Sequence, residues 1–203
     1  QVTPRIAPRV GARRLIAGGL AVAAIGMLML TQVGRQDGLV TLVIASVVIS
    51  LGFAPVFGLT TELIVGSAPP ERAGAASGIS ETGAELGGAL GIAILGSVGI
   101  AVYRGQLDES LPAGLPHEAA ATARDTLGAA TDVAGQIPGP IGSGLIDTAQ
   151  SAFVSGMHTV AAVAAVIAFA VAALGWHALR DHGVPATDST ATDASDDGQD
   201  EVE

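Results

Sequence analysis

The sequence predicts an all-α membrane protein with four transmembrane helices, and three observations lead there. Hydrophobic residues make up 49% of the 203 and charged ones only 14%, where an ordinary globular domain carries about 25% charge. Four segments are apolar over the ~20 residues that a helix needs to cross about 30 Å of hydrocarbon. Lipid offers no partner to an open backbone, so each such segment must close its own hydrogen bonds as a helix.

Taken in order, residues 1–14 read as a polar loop with four Arg, and residues 15–33 as the first span. A secretory signal is the alternative reading of this start. The run from Leu15 to Leu30 is long for a signal core, no Ala-x-Ala site follows it, and further apolar spans come after. The second span covers 39–64, with no charge before Glu62 and with Pro55 between Gly52 and Gly58, which should kink or loosen it. The third runs over 69–103, counting the loop end that leads into it, and is uncharged from Leu86 to Tyr103. Ser67 is its expected N-cap, with Pro69 and Pro70 in the first turn. Residues 104–152 hold Pro112, Pro116, Pro138 and Pro140 as breakers around an Ala-rich stretch from His117 to about Gln136, and read as a long extracellular loop with surface helices. The fourth span, 153–179, carries Trp176 near its end, where an aromatic belt would lie. Residues 180–203 turn to Asp, Thr, Ser and Ala and predict a disordered acidic cytoplasmic tail.

All nine basic residues are Arg, and eight of the 19 acids lie after Arg180, so the formal charge of −10 belongs largely to that tail. Arg5, Arg9, Arg13, Arg14, Arg72 and Arg180 would lie inside if both termini are cytoplasmic, against Arg35, Arg104 and Arg124 outside, which favours that topology in the plasma membrane. The chain has no Cys, which excludes disulfides, thiolate metal sites and Cys nucleophiles. No phosphate loop, metal-ligand spacing, nucleotide fingerprint or nucleophile elbow is present. No enzyme activity, metal, cofactor or nucleic-acid partner is expected. His117, His158, His177 and His182 are scattered and read as interfacial or solvated.

The residues that carry chemistry are Glu81 and Glu85, four apart and so on one face of the third helix. Gly74, Gly78 and Gly88 share that face and leave room for a ligand. Hydrocarbon and a like charge one turn away both favour the neutral form of a carboxyl, and such a pair can trade a proton for a cationic ligand. Counting from Ser67 places the pair deep, whereas counting back from Tyr103 places it at the hydrocarbon edge, and a solvated interfacial pair remains the alternative. The other face carries Gly83, Gly87 and Gly91, a ridge of small residues for close helix packing. Glu62 reads as an interface anchor.

Two stretches resemble a known family. The run from Pro4 to Leu20, PRIAPRVGARRLIAGGL, resembles the Gly- and Arg-rich cytoplasmic loop repeated in each half of the major facilitator superfamily. Leu63 to Tyr103, LIVGSAPPERAGAASGISETGAELGGALGIAILGSVGIAVY, resembles the last cytoplasmic loop and penultimate helix of its fourteen-helix drug:proton antiporter branch. A long external loop before the final helix is also similar to that branch. The resemblance implies the C-terminal part of a major facilitator fold and proton-coupled efflux of amphipathic, often cationic, small molecules. It implies substrate or proton coupling at Glu81 and Glu85, and conformational switching at the loop motif residues Gly11, Arg13 and Arg14. A chain that begins at Gln1 is then expected to be a fragment whose partners are the bilayer, protons, the substrate and the preceding helices of the same transporter. Without them it would not transport. Another metabolite carrier of the same fold, or a small four-helix membrane scaffold or regulatory subunit, are the competing readings.

Overall fold

A computed structural model describes residues 11–34 and 38–178. Among them the elements are α1 (Ala12–Leu30), α2 (Gly38–Gly66), a 3-10 turn (Pro70–Arg72), α3 (Ala73–Glu109), α4 (His117–Ala123), α5 (Leu127–Gln136) and α6 (Pro140–Ala178). There is no strand among the described residues. Four helices, α1, α2, α3 with its leading turn, and α6, are long and apolar enough to cross a membrane. The acidic tail and the first ten residues lie outside the described part.

α1 is the centre of the bundle, packed on α2 along one side and on α6 along the other. Small residues bring α1 and α2 together. A Cβ at Gly52 would stand 2.6 Å from the Gly19 carbonyl oxygen and closer still to the Ala23 amide, and one at Gly26 would stand 2.9 Å from the Ile49 amide. Ala23 and Ala45 are fully buried in the same seam. Without a hydrophobic drive between helices in lipid, this close backbone approach is what holds such a pair. Ile16, Leu20, Leu59 and Ala172 then join α1, α2 and α6 in one cluster near the start of α1.

α3 is different. It packs on α6 over its second half, touches α2 little, and leaves the first half of its length almost wholly exposed. Ile79, Leu86, Leu90, Ile92 and Ile94 are all exposed on it. A helix apolar on every side belongs in lipid or inside a larger bundle.

The long connection between α3 and α6 is a packed helical hairpin. α3 continues six residues past Tyr103, and α6 begins at Pro140, so the segment 140–152 is helix where a loop was expected. Pro140 starts this helix instead of breaking it, because a proline in the first turn needs no N–H donor. The break falls just before, at Gly139, whose φ of 83° is one glycine adopts freely. The Ala-rich stretch is two helices, since the Thr126 side chain accepts the Ala129 amide and starts α5 afresh. Tyr103 and Leu107 of α3, Leu145, Ala149 and Ala152 of α6, and Ala123, Ala130 and Ala134 of the short helices form its core.

Ser67 was expected to cap α3. Its hydroxyl instead donates to the Ile64 carbonyl at 2.8 Å, closing the end of α2, while α3 follows the 3-10 turn with no side-chain cap. Pro55 lies inside α2, which runs unbroken from Gly38 to Gly66.

Candidate substrate and coupling site

Three contacts set the stagger of the helices. In the first turn of α1 the Arg13 guanidinium carbon lies 4.0 Å from the centre of the Trp176 ring, near the end of α6. Past the other end of α1 the Val33 carbonyl lies 3.0 Å from Nε2 of His158. From His158 to Trp176 is about 27 Å of helix, close to the thickness of a hydrocarbon layer. The third contact ties in α3, where a Cβ on Gly156 of α6 would stand 2.9 Å from the Gly99 carbonyl oxygen.

α3 and α6 run antiparallel, so the Trp176 level, 20 residues beyond Gly156, falls near residue 79 on α3. Glu81 lies about 3 Å inside that level and Glu85 about 9 Å inside it. Glu62 comes at about the level of Arg13, since Leu59 and Ile16 share one cluster, and Glu62 follows Leu59 by one turn as Arg13 precedes Ile16 by one.

Both glutamates are exposed in this chain, as are Gly74, Gly78 and Gly88 on their face. Between α2 and α3 opens a cleft of about 410 Å³ whose walls include Phe57, Thr60, Thr61, Ile79, Ser80 and Gly83. Glu81 and Glu85 do not line it. At about 100° of rotation per residue they project roughly 130° and 170° away from the middle of the wall that Ile79, Ser80, Gly83 and Ala84 make, so the pair and the cleft occupy different faces of α3. The arrangement offers an apolar slot with hydroxyls in its wall on one face of α3 and two exposed carboxyls on another. No group of three or more metal-ligating side chains occurs among the described residues.

Gly83, Gly87 and Gly91 do not pack on this chain, for a Cβ at any of them would meet nothing within 4 Å. The close approaches are made at Gly19, Gly26, Gly52 and Gly156 instead. The seven-residue spacing of Gly19 and Gly26, which keeps them on one face, is the signal that sequence reasoning passed over. Thr60, Thr61 and Ser80 were missed as well, because lone hydroxyls in an apolar run carry no pattern of their own.

At the Arg13 end, Gly11 has φ 83° as the N-cap of α1, a left-handed conformation that a side chain would strain. Arg13 and Arg14, expected in a loop, form the first turn of α1. Arg14 is exposed, whereas Arg13 lies over Trp176 with its Nε buried and without a hydrogen-bond partner. The motif thus ties the start of α1 to the end of α6.

Comparison with known proteins agrees with this architecture. No family profile matches the chain. It is 37% identical over 176 residues to the multidrug efflux pump LfrA of Mycolicibacterium smegmatis, a match covering 87% of this chain and 34% of that protein. It is 33% identical to the tetracenomycin C resistance and export protein of Streptomyces glaucescens, over 82% of this chain and 32% of that one. The methyl viologen resistance protein SmvA of Salmonella typhimurium is also 33% identical, over 84% of this chain and 34% of its own length. The chain therefore spans about a third of the length of the curated relatives it matches. With such relatives aligned to more than four-fifths of its residues and four spanning helices in its fold, the chain is a multi-pass membrane protein and belongs to the drug:proton antiporter branch of the major facilitator superfamily.

Proposed function

We propose that the chain is the C-terminal portion of an exporter of amphipathic, often cationic, small molecules, driven by protons moving inward across the plasma membrane. The relatives are named for multidrug efflux, tetracenomycin C export and methyl viologen resistance, which supports this reading. The observation that carries it is Glu85, about 9 Å inside the Trp176 level on a helix with no other charge between it and Arg104. An ionised carboxylate is costly in hydrocarbon unless a partner accompanies it. In one state of the exporter that partner is a proton on Glu85, and in the other it is a cationic substrate. Glu81, one turn nearer the interface, assists.

The exposed faces of α2 and α3, with the ridge of Gly83, Gly87 and Gly91, take the transporter's remaining helices, without which no transport occurs. Gly11, Arg13 and Arg14 hold the cytoplasmic ends of α1 and α6 together as the halves rock. Both termini are cytoplasmic, and the α4–α5 hairpin is outside. A Cys at Ser110 should accept an impermeant thiol reagent in intact cells and a Cys at Ser67 should not, and the reverse pattern would overturn the topology.

The function is tested by dye efflux from cells carrying the intact exporter. Glu85→Gln keeps shape and hydrogen bonding but fixes the neutral form. It should weaken efflux of cations more than of neutral substrates at unchanged expression, and Glu81→Gln should do less. Wild-type cation efflux by Glu85→Gln would mean that the pair is merely interfacial.

A further inference from the structure

A second cleft lies at the opposite end of α3, some 16 Å along the helix from Glu85 by the rise from Glu85 to Gly96. It measures about 380 Å³ and is walled by Gly96, Ile100 and Tyr103 of α3, Phe153 and Met157 of α6, and Asp125 of the α4–α5 turn. Its volume is that of a small-ligand pocket, and a mostly apolar wall with a few polar groups, here Asp125 and Thr126, is how such pockets fix both affinity and orientation. We propose that it is a binding site for a lipophilic monocation, separate from the Glu81 and Glu85 pair.

Three features specify the ligand's charge. Asp125 is the only ionisable carboxylate in the wall among the described residues. Its neighbour Arg104 is committed elsewhere, since Nε donates to the Arg124 carbonyl at 3.1 Å and only a terminal nitrogen reaches Asp125, at 3.8 Å. Both side chains are more than half exposed, at 52% and 73%, and an exposed pair at that distance is weak. Asp125 therefore retains acceptor capacity toward the cleft. Second, the wall holds two aromatic rings, whose faces attract cations. Tyr103 is locked by its hydroxyl, which donates to the Ala123 carbonyl at 2.8 Å, leaving the ring as wall, and Phe153 is half-exposed beside it. Third, residues 104–152 carry six carboxylates and two Arg, and Arg124 is engaged with Asp108 at 2.5 Å. The hairpin thus presents a negative field at the mouth.

The apolar part specifies the rest. Ile100, Phe153 and Met157 offer methyl, ring and thioether surface with no donor among them, so the body of the ligand is hydrocarbon or aromatic. Gly96 leaves open space where a side chain would stand, which gives the cleft its depth.

The test reads occupancy and needs no transport, so it fails or succeeds independently of the efflux assay on Glu85. In the intact exporter in lipid nanodiscs, with Ile100→Cys as the reactive thiol, tetraphenylphosphonium is the probe and triphenylmethanol its neutral counterpart. The cation should protect the thiol from maleimide. Asp125→Asn should raise the protecting concentration about fivefold, the worth of one solvent-exposed charge contact, and leave protection by triphenylmethanol unchanged. Gly96→Phe, which fills the cleft from a position with nothing within 4 Å, should abolish protection by both. Failure of the cation to protect, or protection that is the same before and after Asp125→Asn, would overturn the assignment.

Discussion

Replacing Gly52 by Ala should destabilise the bundle, although alanine is the better helix former. The Cβ would stand 2.6 Å from the Gly19 carbonyl oxygen, where ordinary contact begins at 3.4 Å, and the other close atoms belong to the Ala23 backbone. None of them is the end of a flexible side chain, so α1 and α2 must move apart by nearly an ångström. A gap of about 0.5–1 Å forfeits a quarter to a half of the dispersion attraction it opens, and overpacking of this kind costs about 1–3 kcal/mol. Removing a helical glycine returns at most about 1 kcal/mol. The net expectation is a loss of up to about 2 kcal/mol. Gly58, six residues on in the same helix, meets nothing within 4 Å, so Gly58→Ala should be neutral or stabilising. Trp176 is the single Trp of the chain, and its emission follows unfolding of the segment in mixed detergent and dodecyl sulfate micelles. Equal effects of the two substitutions would refute the close approach at Gly52.

Two further predictions concern the ends of the bundle. Arg13→Ala and Trp176→Leu should be non-additive, with a coupling of about 1 kcal/mol from the cation over the ring; strict additivity in the same unfolding assay would remove the clasp between α1 and α6. Tyr103→Phe leaves the buried Ala123 carbonyl at the end of α4 without its donor, and should cost the hairpin about 1–3 kcal/mol. Faster amide exchange across α4 would register the loss, and unchanged protection would contradict it.

How much of this was legible in the sequence depended on the kind of signal. The four long helices were, because an apolar run of about 20 residues is a composition that averages over local detail. The hairpin was legible only as a loop with helices in it. Pro140 carries the same letter whether it stops a helix or starts one, and the difference lies in Gly139 before it and in the burial of Leu145, Ala149 and Ala152 on Tyr103 and Leu107, which is tertiary. Ser67 misled for a similar reason, since a hydroxyl at a helix boundary serves the helix before it or the one after. Glu81 and Glu85 stood out as a pair from the sequence, but their depth did not, because it depends on how α3 is staggered against α6 at Gly99 and Gly156. The glycines divide along the same line: Gly52 and Gly83 look alike in sequence, and only the path of α1 makes one of them a contact.

The central claim is that Glu85 trades a proton for a cationic substrate. Mixing the purified intact exporter with tetraphenylphosphonium in weakly buffered solution, while a pH-indicator dye records proton release, tests it most directly. The wild type should release protons as the cation binds, with the release falling away at high pH where no proton remains to be displaced, and Glu85→Gln should lose it. Undiminished proton release from Glu85→Gln would contradict the account.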